Sequence, residues 1–148
     1  MTPFKSTAVA PTFEAYPPVM RRKLLALREL VFRTAASTHG VGEIEETLKW
    51  GESAYLTSSS KRGTTVRITW TMKRPAEYAL YVHCQTSLIE TFRTLFPTEF
   101  KFEGNRGIIF SASQSAPTDA VSFCVAAALT YHSRLKPARR SKRRANAP

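Results

Sequence analysis

Aspartate is almost missing from this chain: among its 148 residues only Asp119 occurs, and it is better explained as a helix cap than as a member of a nucleophilic catalytic site. Cysteine is nearly as scarce. Cys84 and Cys124 lie 40 residues apart with no Cys-x-x-Cys spacing, which reads as two free thiols in a reducing compartment and excludes a four-cysteine zinc site. His39, His83 and His132 form no His-x3-5-His pair, so a zinc finger of two cysteines and two histidines is excluded as well. Long apolar runs are also absent. The best stretch, Val121 to Leu129, is broken by Ser122 and ends at Thr130, short of the ~18 residues a membrane span needs. Met1 to Ala10 has no apolar block of a secretory signal, and a cytoplasmic protein without a membrane partner is expected.

Basic residues are abundant, and the formal net charge is +11. Their distribution tempers the obvious reading. Seven of the 22 lie beyond Ser133, and without them 15 basic residues face 11 acidic ones. Arg139, Arg140, Lys142, Arg143 and Arg144 thus belong to a basic tail, 134–148, too polar to bury a core and suited to sequence-independent contact with nucleic-acid phosphates. A solubilising extension is the plain alternative.

Residues 1–12, with Pro3 and Pro11, read as a lead-in segment to a domain over 13–133. Pro17-Pro18 suits a helix start; Met20, Leu24, Leu27 and Val31 then make an apolar stripe, with Arg21, Arg22, Arg28 and Arg33 mostly on the remaining faces and Gly40 as the stop. Glu43, Glu45 and Glu46 precede a turn at Trp50-Gly51 and a strand over Ser53 to Thr57, followed by a flexible loop, Ser58 to Gly63. Val66, Ile68, Trp70 and Met72 alternate with polar residues, as do Tyr78, Leu80 and Val82 with their neighbours, giving two half-buried strands. Ser87-x-x-Glu90 has capping-box spacing ahead of Leu88, Phe92 and Leu95. Gly104-Asn105 suits a hairpin between two short strands, and Thr118 or Asp119 can cap a last helix that is apolar on most sides. The order helix, three strands, helix, two strands, helix implies a single α+β domain: an antiparallel sheet of about five strands with helices mainly on one face.

Three stretches, Glu45 to Tyr55, Tyr78 to Pro97 and Phe102 to Phe110, together resemble the YdhG-like domain family, a bacterial group catalogued mainly as a domain of unknown function. Trp50-Gly51-x-x-Ala54-Tyr55 is the most specific mark, and the likeness spans about Phe13 to Ser133. It implies a small α+β fold. Some members are described as frataxin-like iron chaperones, for which an acidic ridge supplies the carboxylate oxygens a hard cation prefers. Here Glu43, Glu45 and Glu46 are the carboxylates available for iron, inside a positively charged molecule.

For a small ligand the candidates are Trp50 and Tyr55, which can line a pocket for a flat group, and Arg67, Tyr81 and His83, which alternation puts on one sheet face. The bland reading has Trp50 and Trp70 at least partly buried and the polar residues merely facing water. Enzymatic chemistry has little support. No Gly-x-Ser-x-Gly elbow occurs, Gly40-x-Gly42 lacks the third glycine of a dinucleotide fingerprint, and adjacent His83 and Cys84 face opposite ways on a strand. The expectation is a non-enzymatic binding or carrier module of unknown ligand, with the iron chaperone and the nucleic-acid binder as alternatives and no cofactor assigned.

Overall fold

Pro17 and Pro18 open the longest helix where the sequence puts it, since proline at the first turn loses no hydrogen bond. In a computed structural model, which describes residues 1–133, this helix is α2 (Pro18–Ser37). Met20, Leu24, Leu27, Leu30 and Val31 form its buried stripe, and Gly40, at a φ of +84°, turns the chain beyond it. Before it stands a short helix, α1 (Val9–Glu14), that the reading of 1–12 as a lead-in segment did not include. Its Val9 and Phe13 are fully in the core, so part of that lead-in is structural.

The sheet has six strands rather than about five: β1 (Glu45–Lys49), β2 (Glu52–Leu56), β3 (Val66–Thr69), β4 (Glu77–Tyr81), β5 (Lys101–Glu103) and β6 (Gly107–Ser111). Their order is β1-β2-β3-β4-β6-β5, antiparallel throughout. The extra strand is β1, whose residues look like a solvated acidic turn. The alternation expected downstream is present: Tyr55, Val66, Ile68, Tyr78, Leu80, Ile108 and Phe110 make the buried side. However, β3 stops at Thr69, so Met72 falls in the following turn and is exposed.

Two further helices, α3 (Leu88–Leu95) and α4 (Thr118–Leu129), complete an α+β domain. Apolar on most sides, α4 packs on α2, α3 and β3, as such a surface requires. Ser87 and Pro117 occupy the N-cap positions of α3 and α4 without a side-chain capping bond, so the expected capping box is not formed. The Ser58 to Gly63 loop, expected to be flexible, is tied to the end of α4. The Thr64 amide donates to the Ala128 carbonyl at 2.9 Å and the His132 amide to the Arg62 carbonyl at 2.7 Å. A Cβ on Gly63 would stand 2.5 Å from the Leu129 backbone, which explains glycine there.

At the β1–β2 connection Lys49 pairs with Glu52 around a two-residue turn, and both central residues have positive φ, +57° for Trp50 and +75° for Gly51. That mirror-image geometry matches strand twist but favours Asn-Gly; a left-handed conformation costs an ordinary residue about 1–2 kcal/mol. Contrary to expectation Trp50 is not even partly buried: it is 90% exposed.

Candidate ligand site

Arg28 comes one position after Leu27 and four after Leu24, on the apolar stripe of α2, and it is 0% exposed rather than on a polar face. Each of its five N–H groups has an acceptor. Nε and Nη2 donate to the two Glu46 oxygens at 2.6 and 2.9 Å. Nη1 reaches Glu29 at 2.9 Å and the Thr2 carbonyl at 2.6 Å, while Nη2 also reaches the Pro3 carbonyl at 3.3 Å. The Phe4 ring lies 3.8 Å from the guanidinium carbon and the Phe32 ring 4.9 Å. Thr2 returns two bonds to Glu29, from its amide and its hydroxyl, both at 2.8 Å. One side chain therefore straps residues 2–4 across α2 and joins both to β1.

The partner, Glu46, also accepts a hydrogen bond from the Tyr55 hydroxyl at 2.8 Å, and that hydroxyl shares another with Ser53 at 2.7 Å. Burial, and then the neighbouring Glu46 charge, push the Tyr55 phenol well above its ordinary range, so it stays a proton donor. Glu29 is drawn below the usual carboxylate range: burial pushes it up, and the Thr2 and Arg28 contacts together outweigh that. No buried side-chain polar atom of this network lacks a hydrogen-bond partner.

Beside the strap a cavity of about 580 Å³ opens between the N-terminal segment, α2 and the chain entering β1. Pro3, Phe32, Ala35, Ala36 and Ile44 give it apolar walls, and Ser58 and Ser59 contribute hydroxyls. Lys5 and Glu43, both largely exposed, face each other at 2.8 Å on its rim. Their hydrogen bond raises the lysine and lowers the carboxylate from their ordinary values. Glu45 accepts from the Ser58 hydroxyl at 2.6 Å. No ion pair of Glu45 occurs among the described residues.

Of the two groups of ligand candidates, Trp50 and Tyr55 are apart, and Arg67 and Tyr81 are together without His83. Tyr55 is in the Arg28–Glu46 network, Trp50 at a hairpin tip, and Arg67 and Tyr81 are register partners on the sheet face away from the helices. There the Arg67 and Arg106 guanidinium carbons lie 5.5 and 5.0 Å from the Tyr81 ring centroid, and Arg67 pairs with Glu52. His83 follows the end of β4, exposed, its Nδ1 accepting from the Gln85 amide at 3.1 Å. The recess beside Tyr81 holds only about 20 Å³, room for a water, because salt bridges fill that face.

Nor do Glu43, Glu45 and Glu46 converge: Lys5, Ser58 and Arg28 draw them apart. No cluster of three or more metal-ligating side chains occurs among the described residues. Cys84 is exposed, and burial pushes the Cys124 thiol up to about 12. Arg139, Arg140, Lys142, Arg143 and Arg144 lie outside the described residues. No described helix is long and apolar enough to cross a membrane. Neither protein-family models, nor curated proteins, nor solved structures give a match to this chain.

Arg28 and Phe32 are residues of this candidate site that the sequence did not single out. The signal was present in the spacing, because an arginine one residue after Leu27 and three before Val31 sits on the buried stripe.

Proposed function

We propose that this chain is a non-enzymatic binding module of the YdhG-like kind, and that the cavity beside the Arg28 strap takes a small amphipathic amine. The cavity carries the reading: its volume lies in the range that accommodates small ligands, and apolar walls with a few polar groups at the rim are the usual composition of such sites. Charge supports the choice of amine. On the rim Lys5 and Glu43 neutralise each other, which leaves the Glu45 carboxylate with a hydroxyl donor and no cation. An alkyl or aryl body would pack on Phe32, Ala36 and Ile44 while its ammonium meets Glu45.

Isothermal titration calorimetry with octylamine and octanoate tests the proposal. Octylamine is expected to bind and octanoate to bind at least tenfold more weakly; Glu45→Gln should remove most of that preference, and Ala36→Trp, at the exposed rim, should block both. Equal affinities overturn the amine assignment, and no heat from either probe overturns the cavity as a ligand site.

A further inference from the structure

A second feature, at the opposite end of the β1–β2 hairpin from the strap, is unexplained by the fold. Trp50 is 90% exposed and occupies a left-handed turn position where asparagine is the favoured residue. It contributes neither burial nor turn propensity. Met72, 83% exposed, projects from the β3–β4 turn. Both line one open cleft of about 610 Å³ whose other walls include Tyr16 and Trp70, packed edge to face at 6.3 Å. Thr12, Thr69 and Thr71 add hydroxyls to the lining.

From this arrangement we infer that the cleft is a stacking site for an unpaired nucleobase, and that the partner is single-stranded nucleic acid. A protruding indole offers a free π-face, the surface on which bases stack irrespective of sequence. The Thr12 and Thr69 hydroxyls, which donate to the Ala8 and Trp70 carbonyls at 3.4 Å, keep lone pairs for the donors of a base edge, and that of exposed Thr71 can serve as donor or acceptor. Exposed Lys49, at the end of β1, and exposed Lys73, in the β3–β4 turn, adjoin Trp50 and Met72 in the chain and would meet phosphates on either side of a stacked base. Within the cleft Glu52 is the one charged lining residue, and Arg67 neutralises it. The positive net charge of the chain, to which residues 134–148 contribute seven basic residues, supplies the long-range attraction that such binding uses. Unlike phosphate contact through the tail, this mode requires unstacked bases and so discriminates single strands from duplex.

Selectively excited tryptophan fluorescence of the full chain with a dT12 oligonucleotide tests the inference, since Trp50 and Trp70 are its two tryptophans. Stacking should quench the exposed indole. Trp50→Asn should abolish the quenching and weaken dT12 binding about 5- to 100-fold, while its thermal midpoint stays level or rises; Trp50→Phe should retain most of the affinity. Duplex DNA of the same length should bind both proteins alike. The inference fails if Trp50→Asn binds dT12 normally, or if it unfolds earlier than the wild type, which would give Trp50 a role in the fold. It also fails if thymidine monophosphate saturates the site as tightly as the strand, or if only anionic phospholipid vesicles change the emission, by a blue shift.

Discussion

Replacing Arg28 by Met removes a guanidinium with no exposed surface and leaves Glu46, whose side chain is 6% exposed, holding a charge with only Tyr55 donating to it. Breaking a buried pair from one side costs about 3–5 kcal/mol, mostly as the penalty of the stranded charge. The two freed carbonyls, of Thr2 and Pro3, belong to a half-buried and an exposed residue within reach of water, so they add little. The expected loss is therefore about 3–5 kcal/mol in urea unfolding at pH 7, set by Glu46. Converting Glu46 to Gln in the same chain removes the stranded charge, and the double variant should recover part of the loss, with a coupling of about 1–3 kcal/mol. A loss below about 1 kcal/mol for Arg28→Met, or strict additivity of the two substitutions, would refute the view that the pair is buried and mutually dependent.

Gly63→Ala should cost about 1–3 kcal/mol in the same assay, because its Cβ meets the backbone of Leu129 and cannot be accommodated by a rotamer change. Stability should also fall at both ends of the pH scale. Glu29, Glu43 and Glu77 titrate below their ordinary range when folded, so their contribution is complete above the unfolded carboxylate value of about 4.3 and is lost as pH falls through their folded values. Cys124 and Tyr55 are raised, so theirs is complete below their unfolded values and declines from about pH 9 upward. Urea midpoints at pH 3, 7 and 10.5 check both limbs, and a midpoint at pH 10.5 equal to that at pH 7 would contradict the burial of these groups.

The architecture was readable wherever apolar residues mark the period. Val66 and Ile68, Tyr78 and Leu80, and the stripe of Met20, Leu24 and Val31 all occupy the side that alternation assigns them. Reading failed where charges bury one another. Arg28 looks like a solvated residue and Glu46 like part of an acidic turn; each is inside only because the other is, and β1 went unrecognised because its inward position carries that glutamate. Composition misled in the opposite direction at Trp50, since an indole suggests burial and the turn geometry that exposes it is set by Gly51 and the strand pairing. The cavity was illegible for a further reason: its walls come from residues 2–6, from α2 and from the 58–59 loop, which no local pattern connects.

The Arg28 strap makes affinity and foldedness two readings of one equilibrium. Thr2 and Pro3 are both a wall of the cavity and a load on the guanidinium that secures the sheet edge, so a ligand held against Pro3 works on the same contacts that unfolding must break. A compound that rests on the closed strap would register as a gain in melting temperature by mass action. One that must displace Thr2 and Pro3 to enter would bind weakly while the network is intact, and more tightly in variants whose network has been loosened. Thermal shifts measured on wild type and on a mildly weakened clamp would then sort ligands by the route they take into the molecule.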